Sequence, residues 1–246
     1  MGQGSRTLRR VPSGPDLREI GIDQFTAQLD VFIDIYAAAM GAPPPHLPGR
    51  RSIMARHAGY PAFRAITATA APVSPAGTTR TPAGTVASPA DTPGGLAGTL
   101  PSEPGTPPTG AGAGGNPAPV IAFAYGFHGE RGQWWHDLVQ SALAAAHDPA
   151  EADRWMADSF EIAEVHVRPD HQGQGIGRRL MLWLTDGRPE QTAVLSTPDA
   201  DTRARRLYQR LGFSDLLTAF SFPGGSPPYA VMGTTLPLRV SASPSR

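Results

Sequence analysis

The sequence predicts an α/β fold, a central β-sheet flanked by helices, and three stretches carry the prediction. Between Glu161 and Leu184 the chain changes from a strand rhythm, with Val165 and Val167 two apart, to a glycine-spaced turn and then to a helix rhythm through Ile176, Leu180, Trp183 and Leu184. Val120 to Phe127, VIAFAYGF, is a strongly apolar strand. Phe25, Leu29, Phe32, Ile33, Tyr36 and Met40 recur at spacings of three and four, the pattern of an amphipathic helix.

The remaining elements follow in order. The first helix ends before Gly41 and the breaker Pro43-Pro44-Pro45, and a short second helix is expected from Arg50 to Ala58. Phe63 to Ala70 alternates as a strand. From Ala71 to Ala118 the chain is almost entirely Pro, Ala, Gly, Ser and Thr, with Arg80, Asp91 and Glu103 as its charges. Such a segment has too few large apolar side chains to offset the entropy of ordering, so residues 71–118 are expected to be a disordered insertion. If Phe63–Ala70 and Val120–Phe127 pair antiparallel, the insertion sits in their hairpin, where a long loop costs little extra closure entropy. A helix over Trp134–Ala146, a central strand over Phe160–Val167 and a helix over Gly175–Asp186 come next. A strand over Ala193–Ser196, a helix over Thr202–Leu211 and strands over Leu216–Phe222 and Tyr229–Leu236 complete the succession. Residues 17–246 are thus read as one domain interrupted by 71–118, preceded by a flexible segment over 1–16.

Composition narrows the function classes. The 246 residues contain no cysteine, which excludes disulfides, thiolate zinc sites and a cysteine nucleophile. Arginine supplies all 21 basic residues, balanced by 21 acidic ones, and a net charge of zero gives no general reason to expect nucleic-acid binding. No apolar run approaches the roughly 20 residues needed to span a bilayer. Arg6, Arg9 and Arg10 are followed by Val-Pro-Ser-Gly-Pro-Asp rather than an apolar core, so a cytoplasmic protein without a secretory leader is expected.

The loop with Gly173, Gly175 and Gly177 is suited to an anion. Glycine lets main chain lie against a ligand and adopt positive φ, and the following helix offers unpaired N–H donors and the positive end of its dipole. Arg178 and Arg179 add charge beside it. A Walker loop would need a lysine, and the chain has none. A dinucleotide loop would read GxGxxG with an acidic residue ending the next strand, whereas that strand ends in Ser196-Thr197-Pro198.

Val165-His166-Val167-Arg168-Pro169 followed by Gln172-Gly173-Gln174-Gly175-Ile176-Gly177 resembles the acetyl-CoA motif of the GNAT superfamily of N-acetyltransferases. Downstream, Ala204 to Phe213, ARRLYQRLGF, resembles that family's second signature, AxxLYxxLGF. The resemblance implies the GNAT fold, a mixed central sheet in which acetyl-CoA enters where two central strands splay apart. It also implies that strand residues Val165, His166 and Val167 hold the pantetheine and acetyl carbonyl. Gln172, Gly173, Gln174, Gly175, Ile176, Gly177 and Arg178 would hold the pyrophosphate, and no metal is expected.

Acetyl transfer to an amine needs a neutral nucleophile, stabilisation of the developing oxyanion and a proton for the departing thiolate. By resemblance Tyr208 is the general acid, a phenol protonated at neutral pH. Read from its helix alone, Tyr208 packs beside Leu207 and Leu211. Glu161 and Glu164 are the candidate bases; three apart on a strand, they are expected on opposite faces, with Glu161 at the position of the family's usual glutamate. His166 is read as a packed strand residue rather than a base. Asp201 stands where the family often has a cofactor-contacting asparagine, and otherwise reads as the N-cap of the following helix.

The acceptor is expected to be a small-molecule amine. Glu130, Asp137, Asp148, Glu151, Asp153, Asp158, Glu161 and Glu164 face only Arg131 and Arg154, and an acidic surface beside a cleft would attract a polycation such as an aminoglycoside or polyamine. A protein or peptide amine is the alternative, as is a non-catalytic acetyl-CoA-binding module. Neither nucleic acid nor membrane is an expected partner, and a homodimer is the candidate assembly.

Overall fold

The structure, a computed structural model, describes residues 14–70, 118–224 and 227–238. The expected insertion, Ala118 apart, and the first 13 residues lie outside the described residues. Asp16 already belongs to a strand, so order begins earlier than expected.

That strand, β1 (Asp16–Ile20), buries Leu17 and Ile20 and was not legible in the sequence. The expected first helix is two, α1 (Ile22–Ala27) and α2 (Leu29–Met40), broken at Gln28. The break lets Phe25 pack edge-on against Tyr125, with ring centroids 5.0 Å apart, while Phe32 stacks near Phe123 at 4.7 Å. Helix α2 ends at Gly41, whose φ of 61° turns the chain away before the prolines. Helix α3 (Leu47–His57) follows, then β2 (Arg64–Thr69) and β3 (Val120–His128), which pair antiparallel as expected.

Helix α4 (Trp134–Ala146) falls where the sequence put it, and α5 (Pro149–Met156) is an addition. Its start is nevertheless written in Asp148-Pro149-Ala150-Glu151: the Asp148 carboxylate accepts from Glu151 N at 2.8 Å, and proline occupies the first turn, where its missing N–H costs nothing. The chain continues through β4 (Ser159–Val167), α6 (Ile176–Thr185), β5 (Thr192–Pro198), α7 (Arg203–Arg210), β6 (Ser214–Phe220) and β7 (Tyr229–Thr235). Thr202, not Asp201, caps α7: its hydroxyl accepts from Arg205 N at 3.0 Å, while Asp201 pairs with Arg206.

The seven strands form one sheet in the order β1-β2-β3-β4-β5-β7-β6, mixed because β4 and β5 are parallel and the other neighbours antiparallel. On one face α6 covers the sheet, with Leu180, Met181 and Leu184 against Ile66, Ala122 and Ile162. On the other, α1–α3 cover Phe123, Tyr125 and Phe127, and α4–α5 cover Val194 and Val231. Among the described residues no helix is long and apolar enough to cross a membrane.

Two irregularities at β4 shape everything near it. It pairs with β5 over Ser159–Glu161 alone, opposite Thr192–Val194, and beyond that the strands separate. On the β3 side the register runs Tyr125↔Glu164 and then Gly126↔Ile162, so Ala163 is an extra residue in β4. The extra residue shifts the alternation. Glu161, opposite Phe127, and Glu164, opposite Tyr125, therefore lie on the same face of the sheet, contrary to the expectation of opposite faces.

Gly126 is required beside this bulge, because a Cβ there would lie 2.5 Å from Glu161 O and 2.7 Å from Phe160 Cζ. Gly126→Ala is expected to destabilise the fold by about 1–3 kcal/mol, an overpacking cost read by urea unfolding.

Candidate active site

Two cavities open on either side of the bulge. One, of about 440 Å³, is lined by Val165, His166 and Val167 of β4, by the loop into α6, and by one side of α7. In that loop Gly173 and Gly175 have φ of 79° and 75°, which side-chain-bearing residues rarely adopt, and Gln172 Nε2 donates to Val167 O at 3.1 Å. At Gly177 a Cβ would meet Leu207 Cδ2 at 3.3 Å, so this glycine sets the approach of α6 to α7. Gln172, Gly173, Gly175, Ile176, Gly177 and Arg178 all line the cavity; of the expected loop residues Gln174 does not. Arg203, Arg206 and Arg210 of α7 also line it, a cationic row at helical spacing that lies outside the residues the family motif marks.

The second signature has a physical reason. Gly212, at φ 93°, ends α7: Gly212 N donates to Gln209 O at 3.0 Å and Phe213 N to Tyr208 O at 3.0 Å, the paired bonds of a Schellman turn. The turn folds Phe213 back toward Tyr208, with ring centroids 6.0 Å apart. Tyr208 is thus held with its ring buried on the cavity of about 440 Å³. Among the described residues nothing hydrogen-bonds its hydroxyl, and that oxygen is not among the fully buried unpaired atoms, so it faces the open space. Burial pushes the phenol well above its ordinary pKa, and the Glu164 carboxylate pushes in the same direction.

The other cavity, of about 530 Å³, has Glu161, Ile162 and Ala163 of β4 as its floor, with Ser196 of β5 beside them. Trp134 and Trp135 at the start of α4, Tyr60, Phe222 and Tyr229 make aromatic walls, and α3 contributes Arg50, Arg56 and His57. Both Trp residues belong to α4's first turn.

The two carboxylates share a face but not an environment. Glu161 is 3% exposed, and its Oε1 accepts from Nδ1 of His136, itself 2% exposed, at 2.8 Å. Gly129 leaves room for this carboxylate, since a Cβ there would collide with Oε1 and lie 2.7 Å from Ser159 Oγ. Burial raises the Glu161 pKa, and the His136 hydrogen bond offsets part of the rise. Glu164 lines neither cavity. It is paired with His166 and accepts from Arg50 Nη1 at 2.9 Å. Burial alone would push its pKa up, but His166, Arg50 and His57 outweigh burial and hold it below the usual carboxylate range. His136 went unnoticed in the sequence because it lies 25 residues from Glu161 and α4's periodicity gives it no mark.

Of the eight carboxylates expected to form an acidic surface, only Glu161 lines the larger cavity. Several of the rest have local work: Asp148 caps α5, Glu151 accepts from Trp155 Nε1 at 2.8 Å, Asp153 from Gln140 at 2.8 Å, and Asp137 from Gly132 N at 3.1 Å.

Comparison with known proteins agrees with this architecture. Residues 137–215, α4 to the start of β6, match the model of the acetyltransferase (GNAT) domain. A GCN5-like protein acetyltransferase of Mycobacterium tuberculosis is 42% identical over 125 residues. Over these stretches the chain is similar to the GNAT superfamily. That match spans 49% of this chain and 61% of the relative, so it leaves over a third of the relative's length unmatched. Among solved structures, a GNAT-family putative acetyltransferase of Desulfovibrio desulfuricans superposes with a TM-score of 0.50 at 10% identity, covering 90% of this chain and 98% of that one. An Arabidopsis thaliana protein in complex with a bisubstrate analogue superposes with a TM-score of 0.50 at 12% identity, over 91% of this chain and 99% of that one. These superpositions establish the GNAT fold.

His57, whose Nδ1 is 3.1 Å from the Tyr125 hydroxyl, has a pKa lowered to about 4, chiefly by burial. The unfolded chain, with a histidine pKa near 6.5, then holds more protons than the folded one between these values, so stability falls as pH drops from 6.5 toward 4. Urea unfolding across this window is expected to show a loss of up to about 3 kcal/mol from this group, and His57→Gln to remove it.

Proposed function

We propose that the chain is an acetyl-CoA-dependent N-acetyltransferase in which a primary amine attacks the thioester directly. The observation that carries this reading is that β4 lines two cavities, one with residues up to the Ala163 bulge and one with residues beyond it, with the buried Glu161 carboxylate on the first and the unpaired Tyr208 hydroxyl on the second.

The cavity of about 440 Å³ has the character the co-substrate requires. Backbone N–H groups of the glycine loop and of the first turn of α6 suit the pyrophosphate, and Arg178, Arg203 and Arg210 add positive charge. Val165 and Val167 offer strand backbone where β4 has left β5. Acetyl-CoA supplies the activated acetyl thioester: the amine nitrogen bonds to the carbonyl carbon, the C–S bond breaks and a thiolate leaves. Glu161, held by His136, takes the amine's proton from the side of the larger cavity. Tyr208 gives its proton to the departing sulfur. Glu164, tied to Arg50 and His166, keeps its charge and holds α3 against β4 rather than acting as the base.

A protein or peptide amine as acceptor is the second reading, favoured by the description of the Mycobacterium tuberculosis relative as a protein acetyltransferase. A polycationic acceptor has less support, because the carboxylates that suggested it, Glu161 apart, lie away from the cavity. An open Tyr208 hydroxyl and an acceptor-side carboxylate favour an enzyme over a binding module.

With release of free CoA thiol as the assay, Tyr208→Phe is expected to lower kcat by on the order of 10²-fold while the Kd for acetyl-CoA changes less than threefold; unchanged turnover contradicts the acid role. Glu161→Gln is expected to lower kcat/KM by about 10²–10⁴-fold. Because the reactive form is the carboxylate and its pKa is raised, wild-type kcat/KM rises with pH along a limb above the ordinary carboxylate range. Glu164→Gln is expected to leave that limb in place, and a limb lost with Glu164 rather than Glu161 reverses the assignment.

A further inference from the structure

The larger cavity has a charge pattern that its place in the fold does not require. Its one lining carboxylate, Glu161, sits at the floor, and its two lining guanidiniums, Arg50 and Arg56, come from the wall made by α3. Arg50 is half-engaged: Nη1 is bound to Glu164, the guanidinium lies 4.9 Å from the Tyr36 ring centroid, and 35% of its side chain is still exposed. Arg56 is exposed, and its guanidinium has no hydrogen-bonding or ionic partner among the described residues. His57 between them adds no charge near neutral pH, because its pKa is lowered to about 4. The same lining carries aromatic surfaces, Tyr60 and Trp134 among them, with Trp134 60% exposed and 5.9 Å from Phe222.

A ligand that satisfies all three surfaces has three parts. Its amine goes to Glu161, an apolar or aromatic stem goes between the rings, and an anion goes to the guanidiniums. A second cation at the far end would meet Arg50 and Arg56 and be repelled. From this arrangement we infer that the acceptor is a primary amine carrying a carboxylate at the other end of an apolar stem, bound through Arg56 with Arg50 beside it. Arginine's planar fork suits a carboxylate, and an exposed, unpaired guanidinium gives up no existing partner to bind one. The inference rests on the reading of this cavity as the acceptor site. The same chemistry is offered by a free amino-carboxylate and by a peptide lysine flanked by acidic residues, and the volume of about 530 Å³ admits either a small molecule or one long side chain.

Three probes share one stem and differ at the far end: 4-(aminomethyl)benzoate, 4-methylbenzylamine and p-xylylenediamine. Calorimetric titration of the full chain is expected to give a Kd for the benzoate at least tenfold below those of the neutral amine and the diamine. Arg56→Gln is expected to reduce that preference to under threefold. Arg56→Glu is expected to turn it toward the diamine. Equal affinities, or tightest binding of the diamine by the unaltered chain, overturn the inference, as does a preference that survives both substitutions. Capped lysine peptides flanked by aspartates or by arginines distinguish the sources: tighter binding of the aspartate peptide than of the benzoate assigns the site to acidic peptides, and the reverse to small amino-carboxylates. Thiol release with acetyl-CoA is measured on the same compounds. The expected binding order without turnover counts against the acetyltransferase reading and leaves the ligand class standing, whereas turnover with a preference for the diamine does the opposite.

Discussion

One extra residue in one strand governs the candidate site. Ala163 interrupts the pairing of β4 with β3, and just beyond it β4 also leaves β5. A regular strand would spend its backbone groups on both neighbours and send Glu161 and Glu164 to opposite faces. With the bulge, residues before it floor one cavity and residues after it line the other. The aromatic packing of α1–α3, the glycine at 126 and the covering helix α6 all serve to keep that irregular strand in place, since an unpaired stretch of backbone persists only where its surroundings hold it.

The same arrangement gives two carboxylates of one strand different electrostatic surroundings. Both are buried, so both carry a desolvation cost in the charged form. Glu164 is compensated by a guanidinium and an imidazole and is held ionised. Glu161 is compensated by a single imidazole hydrogen bond, keeps a raised pKa, and faces open space. A carboxylate that is to take a proton needs incomplete compensation of this kind, and a group that fixes one helix to a strand does not.

Much of the candidate site is legible in the sequence because its residues are local in the chain. The glycine loop needs positive φ at Gly173 and Gly175, and the LYxxLGF element needs a Schellman turn at Gly212 with Phe213 folded onto Tyr208. Both constraints act over fewer than ten residues and leave an unambiguous residue pattern. What escaped notice was long-range. The bulge is a property of pairing between strands far apart in sequence, and nothing in FEIAEVHV distinguishes it from regular alternation. The His136–Glu161 bond joins α4 to β4, and the walls of the larger cavity come from α3, α4, β4 and the approach to β7, brought together only by the fold. Strand β1 leaves little trace in the sequence because its five residues, DLREI, carry only two buried apolar positions. The acidic run is local in sequence, but Asp137, Asp148, Glu151 and Asp153 cap and pair on or beside α4 and α5, and of its eight carboxylates Glu161 alone lines the larger cavity.

The central claim is that the two cavities are two halves of one acetyl-transfer site joined at the bulge. A crystal structure with CoA bound tests it most directly. The account predicts the pyrophosphate on the loop amides from Gly173 to Arg178, and the thiol at the junction of the cavities within hydrogen-bonding reach of the Tyr208 hydroxyl. A CoA thiol directed to solvent, or a pantetheine arm that leaves Tyr208 and the Ala163 bulge uncontacted, would contradict it.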